Sequence, residues 1–396
     1  MVASNVIKNL NKSINAWFTE PETNSAGNAG IFRIMYSLFY LWHLSTHSAD
    51  YLSGMPSFFV EQEVYLVKYF FRDFGASFSP LFFHVLESLL VAALVLLAFG
   101  YKTRTITILV LLIGCLTEGL SSAIDSKRTL VPLVFYIPFF MSISNSWAST
   151  YSIDSLIRKR RSRLQVDPHN SNWEYFLPAR ALLIVFSALF FGSAIFKVAF
   201  GGVWLKYSDM MANFFLNRNI EAAIYNLPLN PLAPFIAQTP LIYLFTHATT
   251  LIFETFFFLS LFNRKVRDIF LSSALIFHAV NAIWLVVTVT PILIGYGIFI
   301  DWQGIKDFFF SSQRETSDYN FVSPIILTWL AFFLATLSGL LWHSGLGFRS
   351  LFNLYGLIDW RTIWYPVLPL SIVWLILVLT NTCKSLKLKF LQGRNI

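Results

Sequence analysis

Long apolar stretches, nearly free of charge, follow one another along the chain and alternate with shorter polar or basic segments. They fall at residues 29–46, 78–99, 105–122, 130–147, 178–200, 240–262, 321–342 and 362–379. Each has roughly the 18 to 25 residues that a helix needs to cross about 30 Å of hydrocarbon. Residues 268–300 form one further apolar run, long for one helix and short for two, which reads as two shortened or tilted passes broken near Asn281 to Trp284. Barrel strands would be short and alternating, whereas these runs are long and uniformly apolar. The pattern predicts an all-α, polytopic transmembrane helical bundle of about ten spans.

Ahead of the first span, Ile7, Leu10, Ile14, Trp17 and Phe18 recur at helical spacing between Lys8, Asn11 and Lys12. That predicts an amphipathic helix within residues 1–24, lying on a membrane surface and ended by Glu20-Pro21-Glu22. The basic residues then orient the bundle. Lys102 and Arg104, the group from Arg158 to Arg163, Arg264 with Lys265 and Arg267, and the tail from Lys384 to Arg394 all fall on one side if there are ten spans. The positive-inside rule makes that side cytoplasmic, with both termini on it. The opposite face carries two aromatic loops, 48–76 and 201–239, expected to cap an outer cavity.

Composition agrees with this reading. The chain of 396 residues is 56% hydrophobic, 18% aromatic and 13% charged, where soluble domains carry about 25% charged residues. Mean hydropathy is +0.60. The formal charge of +8 reports cytoplasmic loops and contact with anionic lipid, and it points to no nucleic acid. The cysteines, Cys115 and Cys383, give neither a disulfide framework nor a metal-ligand spacing. The first residues lack the apolar core of a signal peptide.

Ionisable side chains within the spans are the candidate chemistry, because a charge in hydrocarbon costs about 2.5 to 3.5 kcal/mol and is kept where it has a partner or a task. They are His43, His84, Glu87, Glu118, Arg180, Lys197, His247, Glu254 and His278, with Arg33 near a span end. Arg180 and Lys197 lie roughly 26 Å apart along one helix, at opposite membrane edges. Arg33 and Arg180 read as snorkelling anchors at the cytoplasmic edge. Lys197, His43, Glu118, His84 and His247 fall in the outer half. His84 and Glu87 are three residues apart and share a helix face, as do His247 and Glu254 seven apart. A carboxylate at the depth of Glu87 or Glu254 must be protonated, paired or wet. Lys197 stands in the run Phe190-Phe191-Gly192-Ser193-Ala194-Ile195-Phe196-Lys197, whose small residues allow close approach of a helix or ligand. It reads either as an interfacial anchor or as a base, since an amine kept from water can take up a proton.

Four features resemble the horizontally transferred transmembrane (HTTM) domain family, to which vitamin K-dependent γ-carboxylases belong. They are Trp17 to Pro21 followed by Ile31-Phe32-Arg33-Ile34, the run 190–197 followed by Trp204, the stretch Phe277-His278-Ala279-Val280-Asn281, and the close from Trp147 to Ile153-Asp154. The match covers about residues 14–300, inside an expected carboxylase-like domain 25–312 that an extra C-terminal transmembrane pair and basic tail, 313–396, would follow. In the carboxylase the corresponding lysine deprotonates a reduced quinone such as vitamin K, and the resemblance implies Lys197 as that base. Depth and shared helix faces place His84, Glu87, His247 and His278 with it around a wet cavity open to the outer side, where Trp204, Asn281 and Glu254 are the expected ligand-binding residues. No metal is implied. Two departures stand beside it. Lys127, Arg128 and Thr129 occupy the place where the carboxylase has a histidine, and two more spans replace its large soluble domain.

Three readings follow. One is a carboxylase-like plasma-membrane enzyme acting at the extracytoplasmic face on a quinone, lipid-like or peptide substrate. Another is a non-catalytic maturation or export factor for a secreted peptide, similar to the sporulation-delaying toxin system. The third is a proton-coupled transporter.

Overall fold

The computed structural model describes Trp17 and residues 25–46, 80–125, 132–144, 146–162, 166–170, 172–200, 210–224, 233–284, 290–310 and 364–392. Among these residues all regular structure is helical. Of the expected features, the surface helix 1–24 (Trp17 apart), the loop 48–76, the span 321–342, the boundary at 312/313 and Trp204 lie outside the described residues.

The helices are α1 Ala26–Thr46, α2 Pro80–Phe99, α3 Thr103–Asp125, α4 Ile137–Ser144, α5 Ile153–Ser162, α6 Trp173–Ile195, α7 Met210–Ile224, α8 Ala233–Gln238, α9 Pro240–Phe256, α10 Arg264–Trp284, α11 Thr290–Gly297, α12 Trp302–Phe310 and α13 Trp364–Gln392. Three described helical stretches are long and apolar enough to cross a membrane: Leu81–Phe99, Trp173–Ala199 and Pro240–Leu261. Their 19, 27 and 22 residues correspond to about 28, 40 and 33 Å of helix. Shorter apolar stretches are Thr103–Thr117, Pro132–Ser144 and Pro366–Thr380.

The surface of these helices fits a hydrocarbon surround. Leu241, Phe245 and Ile252 on α9, and Ile372, Val373, Ile376 and Leu377 on α13, are large, apolar and exposed. Rows of this kind have no favourable solvent in water and an obvious one in lipid. On the sequence reading the run 268–300 breaks near Asn281 to Trp284. In the structure α10 continues through Asn281 to Trp284, and a separate short helix begins at Thr290.

The chain forms two compact units, one of residues 1–182 and 291–357, the other of 183–290 and 358–396. In the first, α1 packs on α2 and α2 on α3, with α12 lying against α1. Its centre is Arg33, which is 0% exposed. The guanidinium donates to the carbonyl oxygens of Trp147 at 2.5 Å and of Thr150 and Ala98 at 3.4 Å, and to that of Tyr151. Ala98 belongs to the last turn of α2, where carbonyls lack helical partners. Arg33 therefore closes the end of α2 and the chain segment 147–151 together. The snorkelling expected of it is ruled out, because protein and not an interface surrounds the charge. Arg180, 5% exposed, is also enclosed, with its guanidinium over the rings of Phe176 at 4.7 Å and Trp17 at 5.0 Å.

Two more residues of the resemblance act beside Arg33. The Trp147 indole N–H donates to Thr107 Oγ1 at 3.1 Å. The Asp154 carboxylate accepts from the Lys102 and Thr103 backbone N–H groups at 2.9 and 2.7 Å and from the Thr103 hydroxyl at 2.7 Å, capping α3. The turn from α2 to α3 runs through left-handed backbone at Gly100 (φ 68) and Lys102 (φ 43).

In the second unit α10 packs along α13, and α7 and α8 pack on one another and on α9. Phe215 of α7 meets Ala233 and Ile236 of α8 in a small core that Ile242 and Tyr243 of α9 complete. The loop expected over 201–239 is thus, where described, a helical hairpin seated on the first turns of α9. The Trp364 indole N–H donates to the Thr290 hydroxyl at 3.1 Å, a buried bond that ties the start of α13 to the start of α11.

Candidate functional site: a buried amine–carboxylate pair

The helix α6 is apolar around its circumference and ends in a π-helical turn, Phe196–Phe200, which carries Lys197. A π turn accommodates an extra residue, so it re-aims its side chains relative to those of the preceding helix, and such turns recur at functional sites. Pro240 opens α9 from an extended Thr239, a position where its missing N–H costs nothing. About four turns on, α9 presents Glu254.

These two side chains meet. The Lys197 ammonium donates to Glu254 Oε1 at 2.5 Å and to Oε2 at 2.6 Å. The side chains are 16% and 5% exposed, respectively. A pair so enclosed interacts far more strongly than one in water, and that attraction offsets part of the cost of taking the two charges out of water. Of the three states open to a carboxylate at this depth, Glu254 is paired. Lys197, which on the sequence reading is either an anchor or a base, holds its nitrogen against the Glu254 carboxylate.

An aromatic cluster of the same unit surrounds the pair in sequence and packs as one body. The ring of Phe190 lies tilted against Phe257 at 4.4 Å and edge-on to Phe253 at 5.2 Å, two rings that flank Glu254 on its own helix and the turn after it. Phe253 in turn lies 5.4 Å from Phe277. The His278 imidazole is buried and sits against Phe190 at 5.8 Å and Phe277 at 5.6 Å. His247 is half-buried on α9, two turns before Glu254. Ser187 and Ser260 face one another at 3.5 Å and stitch α6 to the turn after α9.

The remaining expected site residues are placed as follows. Asn281 lies half-buried on α10, one turn beyond His278. His84 and Glu87 belong to the first unit, both buried on α2 at adjacent turns. His43 is buried on α1 with its ring 6.3 Å from that of Tyr40. The Glu118 side chain and Trp204 are outside the described residues. Among the described residues no group of three or more His, Cys, Asp and Glu side chains could hold a metal ion.

Fold and site together define a helical protein with membrane-length apolar helices and an amine–carboxylate pair enclosed between two of them. No family model, curated protein or solved structure matches the chain.

Proposed function

We propose that this protein is a carboxylase-like, multi-pass membrane protein of the plasma membrane, with about ten spans and cytoplasmic termini, that uses Lys197 as a general base on a quinone-like or lipid-like substrate at the extracytoplasmic face. The observation that carries the reading is the clasp of Lys197 by both oxygens of the buried Glu254. The HTTM resemblance assigns the base to the same lysine.

The pair supplies what a buried base needs. As an ammonium and a carboxylate it is net neutral and stable in a dry site. Passing the shared proton to Glu254 leaves a neutral amine and a carboxylic acid, again without net charge. The amine then takes the proton of an acidic substrate O–H: that bond breaks, an N–H bond forms, and the ammonium lies beside the substrate oxyanion. Stabilisation of a developing anion by a fixed cation in a dry site is a large catalytic term. His247, two turns before Glu254 on α9, exchanges the proton with solvent afterwards. The apolar rings of Phe190, Phe253 and Phe277 suit a flat, greasy substrate, which a reduced quinone is.

The test is turnover of a reduced naphthoquinone with dioxygen by the purified protein in nanodiscs. Wild type is expected to oxidise it above the protein-free rate. Lys197→Arg, which keeps the charge but cannot give up its proton near neutral pH, is expected to lose at least about a hundredfold of that rate, the scale of general acid–base catalysis. Equal rates for Lys197→Arg and wild type would remove the base from the account. A proton-coupled transporter is the second reading, favoured by the same buried carboxylate, because such groups form proton relays within membranes. It predicts pH-gradient-driven flux that Glu254→Gln abolishes.

A further inference from the structure

The first unit contains a cavity of about 590 Å³ that the pair does not involve. One wall is apolar, formed by Ile31 and Ile34 of α1 and Leu156 of α5. The other is cationic, formed by Arg158 and Lys159 of α5 and Lys306 of α12. Volumes of this size hold small molecules and lipid fragments.

The cationic wall is built. Gln303 anchors α12 to α1, its backbone N–H donating to Asn28 Oδ1 at 2.6 Å. Its side-chain oxygen accepts from the Tyr151 hydroxyl at 2.7 Å. Lys306 donates to that same hydroxyl at 2.7 Å and lies 4.3 Å from the Tyr151 ring centre. Tyr151 itself holds a left-handed backbone, φ 49, unusual for an aromatic residue. Lys306 is thus oriented by a neutral phenol, and among the described residues no carboxylate pairs with it. The nearby acids are occupied elsewhere. Asp307 accepts from Gln303 Nε2 at 2.8 Å and lies 3.5 Å from His169, and Asp154 caps α3. An oriented ammonium, two further cations and an apolar wall one to two turns into an apolar helix have a matching shape among natural amphiphiles. Basic pockets at the edges of membrane helices take anionic headgroups while the acyl chains follow the hydrocarbon side.

The geometry points to a binding site for one anionic phospholipid, its phosphate held by Lys306, Lys159 and Arg158 and an acyl chain laid along Ile31, Ile34 and Leu156. Bound there, it bridges α1, α5 and α12.

Native mass spectrometry of the detergent-purified full chain, supplied with phosphatidylglycerol or phosphatidylcholine of the same acyl length, tests this. Wild type is expected to retain one phosphatidylglycerol in preference to phosphatidylcholine. Lys306→Gln and Lys159→Gln are each expected to weaken that retention about fivefold, the effect of one cation near a lipid surface, and to leave phosphatidylcholine unchanged. Lys159 is exposed, so its variant folds even if Lys306→Gln does not. Equal retention of the two lipids would overturn the proposal, as would wild-type retention in the Lys159 and Lys306 variants. Displacement of the lipid by millimolar inorganic phosphate would also overturn it, in favour of a water-soluble phosphoryl ligand.

Discussion

At the scale of single residues the second unit turns on Lys197 and Glu254, and each is tolerable in its place because of the other. Removing one partner leaves a buried charge without compensation, which costs about 3 to 5 kcal/mol, whereas replacing both with apolar residues of similar size is close to neutral. Glu254→Leu is therefore expected to lower the stability of the purified protein to thermal unfolding markedly. Lys197→Met combined with Glu254→Leu should recover most of that loss while remaining inactive. Equal destabilisation by the single and the double variant would mean that the pair contributes nothing as a pair. The ionisable residues themselves were legible in the sequence, because charge inside an apolar run stands out. Which of them meet was not. Lys197 and Glu254 are 57 positions apart, and only the packing of α6 against α9, with the re-aiming by the π turn, brings them together. The same limit applies to Arg33. Its place near a span end suggests an anchor, but the four carbonyls that receive it come from segments 65 to 118 residues away.

At the scale of elements the apolar lengths were readable and the ends less so. α2 begins and ends within two residues of the stretch that hydropathy marks, and α9 opens with its stretch at Pro240 but gives way after Phe256 to the 3-10 turn Phe257–Leu261, which carries the apolar run to its end. α6 starts at Trp173, before Pro178, which stands inside the helix and does not open it. α13 continues to Gln392 through Lys384, Lys387 and Lys389, beyond the apolar stretch that ends at 379. Basic side chains at a helix C-terminus face a favourable dipole, so polarity alone does not end the helix there. The turn between α2 and α3 is the element most exposed to a single change. Gly100 has φ 68, and a β-carbon on it would come within 2.4 Å of Ser152 Cβ and 2.8 Å of the Arg33 guanidinium carbon. Gly100→Ala is expected to destabilise the first unit by about 2 kcal/mol or more, from backbone strain and displacement of the Arg33 knot together. Hydrogen exchange at residues 97–103 and 147–154 reads this directly, and unchanged protection there would contradict it.

At the scale of the whole molecule the described regular structure is helical, with membrane-length helices, a largely buried amine–carboxylate pair in one unit and a cationic cavity in the other. The class of protein was legible because bilayer physics leaves a strong imprint on composition: a chain with 13% charged residues and long apolar runs has few stable homes outside lipid. The residues that carry the HTTM resemblance fall into two groups. Arg33, Trp147 and Asp154 lock the fold, whereas Lys197 and His278 belong to the unit that holds the pair. Tyr151 and Lys306 were invisible as a cavity wall, since an isolated tyrosine and lysine in polar segments carry no pattern. The central claim is that a flat apolar substrate reaches the Lys197 amine. Photolabelling with a diazirine-bearing naphthoquinone in nanodiscs, followed by peptide mapping, tests it most directly. The account predicts label on peptides containing Phe190 to Phe200 and His247 to Phe258, displaced by unlabelled quinone and lost in Lys197→Met. Label confined to other segments, or insensitive to competing quinone, would contradict it.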